Sequence, residues 1–188
     1  MLETERLILR RMNESDIDPI FAMRTDKDVM RFIREPVAKR DEAERWINLV
    51  SSLWEDEKIG FCALVEKQSG KFIGWCGLWR LKETGEIEVG YALTKDFWGK
   101  GFAVEASEAV LQYGFDELNL EKIVAVANPE NQASRRVMEK LGMRFDYIGE
   151  FYGRDLVHYS ITKREWETRG RGDAENSESS ALAGALNC

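Results

Sequence analysis

The sequence predicts an α+β domain: a twisted, mostly antiparallel sheet of six to seven strands with helices on both faces. Three observations predict it. Short β-branched and apolar runs lie on both sides of an amphipathic pattern from Ala103 to about Phe115, so strands precede and follow a central helix. Turn residues such as Ser69-Gly70, Thr84-Gly85 and Gly153 separate neighbouring runs closely enough for hairpins. A chain of 188 residues, 44% hydrophobic and 32% charged, suits one globular domain with a sizeable core.

Glu5 to Met12 is a β-rich opening run. Asn13 and Asp16 make a capping-box-like start to a helix carrying Ile17, Ile20, Phe21 and Arg24. Pro19 predicts either a kink there or a fresh start with Asp18 as cap. A short helical piece from about Asp28 to Ile33 ends before Pro36. Asp41 and Glu44 form a second capping box, and Ala43, Trp46, Ile47, Val50, Leu53 and Trp54 follow at helical spacing. Gly60 to Glu66 and Lys71 to Arg80 make a hairpin, with Glu86 to Leu93 as the next antiparallel strand. The central helix buries Val104, Ala109, Val110, Tyr113 and Phe115, with Leu118 just beyond it. A strand from Lys122 to Ala127 and a helix from Asn131 to Leu141 follow, the helix stopped by Gly142. Arg144 to Phe151 and Asp155 to Thr162 close the fold as a hairpin. Beyond Trp166 the residues are small, polar and unpatterned, so 1–167 is expected to be the domain and 168–188 a polar tail.

The net charge of −7 argues against nucleic acid as a main partner, because phosphate binding needs a basic face. No apolar run approaches the roughly 20 residues of a membrane span, and the first residues are charged, so a cytoplasmic protein without a signal peptide is expected. Cys62, Cys76 and Cys188 are odd in number and contain no C-x-x-C, which argues against a zinc site and against a disulfide framework; no metal is expected. A two-residue Ser69-Gly70 turn sets Cys62 opposite Gly77, placing Cys62 and Cys76 on opposite sheet faces, both reduced.

Chemistry concentrates in the turn from Phe97 to Ala103. A strand runs into Trp98-Gly99-Lys100-Gly101 and a helix leaves it. First-turn helix amides have no intrahelical partner, and the dipole adds roughly half a positive charge, so an anion is stabilised there. Gly99 and Gly101 remove Cβ atoms that would hold a phosphate away, and Lys100 adds a cation. A nucleotide-hydrolase loop fails because Gly101 follows Lys100 where a hydroxyl is needed; a dinucleotide fingerprint fails because Val104 stands where glycine is required. Two glycines in a tight turn with no ligand remain the plain structural alternative for this segment taken alone.

Three segments in order then carry a resemblance. Glu88-Val89-Gly90-Tyr91, the loop from Trp98 to Ala106, and Asn131 to Met143 resemble the acetyl-CoA-binding core of the GNAT N-acetyltransferase superfamily, and within it the RimJ/RimL-type group. The likeness covers roughly residues 2–167. It implies a sheet whose strands splay at an acetyl-CoA cleft. Ala92 and Leu93 would contact pantetheine. The amides around Trp98, Gly99, Lys100, Gly101, Phe102 and Ala103 would hold the pyrophosphate, with Trp98 at a position usually Gln or Arg. Asn131 would bond the pantetheine amide region, and Ser134 would lie near the thioester sulfur as proton donor to the thiolate. Phe32 and Trp46 would shape the amine pocket, and acceptor residues would come from Arg31 to Arg40 and Asp146 to Arg154.

Acetyl transfer needs a neutral amine, a polarised carbonyl and a protonated leaving thiolate. The reaction requires no cysteine or serine nucleophile with a His partner, the only histidine, His158, falls in a late strand, and no G-x-S-x-G occurs, so direct attack fits better than a covalent intermediate. Glu88 is the nominated general base, directly or through water, against the alternative of a solvated strand residue. Tyr91 is a second candidate, as proton donor or core aromatic. Ser134 has the competing reading of an ordinary helix hydroxyl, and Glu105 that of an acid favoured by the helix dipole. His158 is read as structural. The expected activity is acetylation of a primary amine, a protein N-terminus or a small amine; a non-catalytic CoA-binding sensor or subunit is the alternative, and a nucleotide-binding fold a third. The implied partners are acetyl-CoA and the amine, with room for a homodimer and none for nucleic acid or membrane.

Overall fold

The computed structural model describes residues 1–37 and 39–169. Eight strands form one sheet: β1 (Leu2–Glu3), β2 (Leu7–Arg11), β3 (Phe61–Glu66), β4 (Phe72–Arg80), β5 (Ile87–Leu93), β6 (Lys122–Ala127), β7 (Arg144–Phe151) and β8 (Arg154–Thr162). Their order is β1-β2-β3-β4-β5-β6-β8-β7, antiparallel everywhere except between β5 and β6. The count exceeds the expected six to seven because Leu2 and Glu3 pair with Leu9 and Ile8, adding a two-residue strand too short to carry a sequence period. Among the described residues five helices flank the sheet: α1 (Ile17–Thr25), α2 (Lys27–Met30), α3 (Arg40–Asp56), α4 (Phe102–Asp116) and α5 (Gln132–Lys140). Residues 163–169 are helical as well, with Trp166 against Phe115; the tail expected over 168–188 lies outside the described residues from 170 onward. No described helix is long and apolar enough to cross a membrane.

The Asn13–Asp16 box exists, but it caps a 3₁₀ turn (Glu14–Asp16) that passes directly into α1. Pro19 therefore falls in the first turn of α1, where its missing N–H costs nothing. α3 begins before the expected Asp41–Glu44 box: the Lys39 N–H donates to Glu42 Oε1 at 3.0 Å, and Asp41 instead pairs with Arg45 one turn on. α1 and α3 cover one face through Ile20, Met23, Ala43, Ile47 and Val50 against Ala63, Trp75 and Ala92. α4 covers the other through Phe102, Ala106, Val110, Leu111 and Phe115 against Cys62, Leu64, Cys76, Leu78 and Val89. Each helix thus turns an apolar stripe to the sheet.

The β3–β4 hairpin departs from expectation. The Glu66 N–H donates to Lys71 O, so four residues, Lys67 to Gly70, form the loop, and a bulge at Leu64/Val65 then adds an unpaired residue. The register that results pairs Cys62 with Cys76, not with Gly77. The two thiols therefore share the α4 face instead of opposing it. Both are free and buried, and burial pushes each thiol up to about 12, which leaves them protonated.

Candidate active site

β5 and β6 touch at one residue pair, Glu88 with Val124, and then part. Leu81 donates to Glu86 O and Thr94 to Ile73 O, which fixes the ladder phase: even-numbered residues of β5 bond β4. The N–H and C=O groups of Tyr91 and Leu93 consequently turn toward the opening. Ala92, expected at the cofactor, directs its backbone at β4, so Tyr91 is the better-placed backbone contact. The Leu93 carbonyl is already taken by the Trp98 indole Nε1 at 2.7 Å, leaving its N–H.

At the mouth of this opening, Gly99 and Gly101 adopt φ of 71° and 84°, and Gly101 caps α4 in the left-handed conformation. Among the described residues no protein group accepts the N–H of Gly99, Lys100, Gly101, Phe102 or Ala103. The Trp98 N–H differs: it donates to Lys95 O. Exposed or first-turn amides beside a helix N-terminus make a place where an anion is stabilised. The turn is braced from below. Arg6 Nη1 donates to Lys100 O at 3.0 Å and its guanidinium lies 4.4 Å from the Phe102 ring centroid. Glu105 accepts from Thr4, the Arg6 N–H and the Arg6 side chain. Burial alone would raise its pKa, but those donors outweigh it and hold the carboxyl below its ordinary value.

Across the opening, the Tyr91 hydroxyl lies 2.9 Å from Ser134 Oγ and donates to Ser134 O at 3.2 Å. Asn131 Oδ1 accepts the Ser134 N–H at 3.1 Å as N-cap of α5, and its amide nitrogen makes no hydrogen bond among the described residues. Burial holds the Tyr91 phenol well above its ordinary value, a protonated donor at neutral pH.

Glu88 is buried, 7% exposed, on the face opposite Tyr91. Its carboxyl is raised to about 7 chiefly by burial, with the Tyr152 hydroxyl lowering it and Glu83 raising it. Tyr152, at the β7–β8 turn with φ 53°, donates its hydroxyl to Glu88 Oε1, while its N–H donates to Glu83 Oε1 at 2.7 Å. Sequence reading placed a turn here but missed Tyr152; an aromatic at a left-handed turn position beside Gly153 was the available signal. Trp79 pairs with Glu88 across the ladder and stacks on Phe61 at 5.3 Å. Trp46 packs on Phe61 and Trp75 at 5.8 and 5.2 Å. Trp46 is thus a wall residue on the Glu88 face, while Phe32 carries the Arg31 guanidinium.

His158 is buried between two acids, Nδ1 3.0 Å from Asp146 and Nε2 3.2 Å from Glu86, with Tyr147 stacked at 4.6 Å. Glu86 also pairs with Lys122. These contacts fasten β5, β6, β7 and β8 at the closed end of the split, a structural role with partners that the sequence reading did not see.

The sheet thus parts between a glycine turn at the N-terminus of α4 and, at the shared β5–β6 pair, a buried carboxyl raised to about 7. Residues 6–144 match the family model described as the acetyltransferase (GNAT) domain. The uncharacterized N-acetyltransferase p20 of Bacillus licheniformis is 32% identical over 173 residues, covering 88% of this chain and 97% of that protein. A GNAT-family acetyltransferase from Bacillus anthracis superposes with a TM-score of 0.75 at 27% identity, covering 87% of this chain and 98% of that one. The spermidine N-acetyltransferase of Vibrio cholerae, solved with CoA and spermine, shares the fold at a TM-score of 0.72 and 24% identity over 87% of this chain and 99% of that one. The chain belongs to the GNAT acetyltransferase family and is an acetyltransferase.

Proposed function

We propose that the chain is an acetyl-CoA-dependent N-acetyltransferase of RimJ/RimL type that acetylates a primary amine by direct attack. The observation that carries this reading is Glu88: a buried carboxyl raised to about 7, on the one residue pair that β5 and β6 share before they part. A base with that value is half ionised at neutral pH, and its ionised form can accept the proton that the nitrogen sheds when it attacks as a neutral amine. The Tyr152 hydroxyl holds its ionised form in place. On the opposite face the Tyr91–Ser134 pair stands ready to give a proton to the departing thiolate. A neutral amine nitrogen bonds the acetyl carbon, the carbon–sulfur bond breaks, Glu88 receives the one proton the nitrogen sheds, and the hydroxyl pair gives its proton to sulfur and regains one from solvent. The loop from Gly99 to Ala103 and the edge groups of Tyr91 and Leu93 supply positioning, which accounts for much of the rate in such reactions.

Glu88→Gln tests the reading. Calorimetry is expected to give acetyl-CoA affinity within a factor of about two of wild type, while thiol release with a panel of amines falls about 100-fold or more. A wild-type protein that binds acetyl-CoA and turns over no amine would be a CoA-binding module instead.

A further inference from the structure

The β7–β8 connection is a two-residue turn, Tyr152-Gly153, with φ of 53° and 70° between the paired residues Phe151 and Arg154. Positive φ at both central positions is the hairpin geometry that Asn-Gly and Asp-Gly suit, and a bulky aromatic in the first of them is out of place. A conformation of that kind persists only where the surroundings over-determine it, and such positions gather at functional sites. Two bonds hold it here. The Tyr152 N–H donates to Glu83 Oε1 at 2.7 Å, and the Tyr152 hydroxyl donates to Glu88 Oε1.

Both acceptors come from the other group of strands. Glu83 sits on the short β4–β5 connection, which is closed by the Leu81 N–H on Glu86 O at 2.9 Å and the Gly85 N–H on Leu81 O at 2.8 Å. Its backbone is thereby fixed, so an exposed side chain can serve as an anchor. Leu81 also packs in one buried cluster with Phe151, Leu156 and Val124, the β6 residue that pairs with Glu88. That apolar contact brings loop and turn together across the split, but it sets no torsion of Tyr152. The bond to Glu83 does: it fixes the plane of the peptide entering the turn, and φ of 53° then sets where the ring leaves it. The ring stays 43% exposed while its hydroxyl ends on a carboxyl that is 7% exposed. Arg154 fastens the far side of the turn by donating to Ile33 O at 2.6 Å.

We propose that Glu83 is a positioning residue for the base: by holding the Tyr152 N–H it keeps this tyrosine in the left-handed turn conformation from which its hydroxyl meets Glu88. The inference rests on the acetyl-transfer reading above for the role of Glu88, and the geometry has a readout of its own. Burial is the main cause of the raised Glu88 carboxyl; the Tyr152 hydroxyl lowers it and the Glu83 charge adds to the rise. Burial, then Glu88 and Glu83, hold the Tyr152 phenol above its ordinary value, with Arg34 opposing them. Losing the Glu83 charge and losing the Tyr152 hydroxyl therefore move Glu88 in opposite directions, which separates the two roles of Glu83.

Full-length Glu83→Gln, Glu83→Ala, Tyr152→Phe and the Glu83→Ala/Tyr152→Phe double variant are compared with wild type by thiol release across a panel of amines. Glutamine keeps an oxygen for the Tyr152 N–H and loses the charge, whereas alanine loses both. In Glu83→Gln kcat is expected to stay within about twofold of wild type, and in Glu83→Ala to fall about three- to tenfold, as the loss of one hydrogen bond gives. Acetyl-CoA affinity in calorimetry should stay within about twofold in both. In the Tyr152→Phe background Glu83→Ala should add less than about twofold, because one residue acts through the other. The acid limb of the kcat/KM profile should move to lower pH in Glu83→Gln and lie about half a unit higher in Glu83→Ala than in Glu83→Gln. A silent Glu83→Ala, a glutamine as harmful as alanine, coincident limbs in the two Glu83 variants, or single losses that multiply in the double variant each overturn the proposal. If wild type turns over no amine, carbon-13 titration of the Glu88 carboxyl, assigned by its absence in Glu88→Gln, reads the same separation between the Glu83 variants. With the separation present, the positioning stands and the transfer reading fails; with it absent, both fall.

Discussion

At Glu88 a single carboxyl links burial to chemistry and to stability. Its ordinary value is 4.5 and its folded value about 7. Below 4.5 the folded and unfolded chains both hold the proton; between 4.5 and 7 the folded state keeps what the unfolded state releases. Stability from this group is therefore full at low pH and falls as pH rises, by about 3 kcal/mol once past 7. Glu88→Gln, which carries no charge at any pH, should accordingly raise unfolding free energy at pH 8 by about 2–3 kcal/mol and leave it near wild type at pH 4, read from urea titrations at the two pH values. An equal effect at both would mean that the carboxyl is not desolvated. Tyr152→Phe removes the hydrogen bond that favours the ionised form. The acid limb of the kcat/KM profile, which rises as Glu88 deprotonates, should move about half to one unit higher. A limb that stays put would assign the titration to another group.

The loop and its helix show which features a sequence exposes. Gly99, Gly101 and the helix from Phe102 to Asp116 are local, and turn and helix form as expected; the buried stripe is turned from the expected one, since Val110 and Phe115 are buried with Phe102, Ala106 and Leu111, while Val104, Ala109, Tyr113 and Leu118 are only partly buried. What joins distant elements was not legible. Glu105 braces Thr4 and Arg6 from a hundred or so residues away, and Tyr152 reaches Glu88 across 64 positions. The Cys62–Cys76 pairing shows a subtler limit, since one bulged residue and a longer loop reset a register that alternation alone cannot fix. Gly101→Ala tests the loop as a unit. With φ at 84°, alanine brings about 1–2 kcal/mol of strain, and its Cβ comes within 3.3 Å of Arg6 Nη2. Acetyl-CoA affinity is expected to weaken about tenfold in calorimetry while kcat at saturation changes little; unaltered affinity would remove the loop from the pyrophosphate site.

Over the whole molecule the site depends on two groups of strands, β1 to β5 and β6 to β8, that share one bridging pair. Helices on each face and the His158–Glu86–Lys122 contacts keep the groups together at one end. That division explains why the fold class was readable from residue patterns while the cleft followed only from the family resemblance. Alternating strands and helix stripes report which residues face a core, whereas the parting of β5 from β6 is an absence of pairing, which leaves no residue signature. The donor molecule should complete the missing ladder. Amide exchange at Tyr91, Leu93 and the loop from Gly99 to Ala103 is expected to slow at least tenfold on adding acetyl-CoA, with strands β2 to β4 little changed. Uniform protection would argue against a local latch. Held together at one end only, two such groups of strands should stiffen when a strut is wedged into the gap at the other. The cell's acetyl-donor supply would then set the rigidity of the enzyme as well as its speed, and the unloaded form is the one that proteases and chaperones would meet.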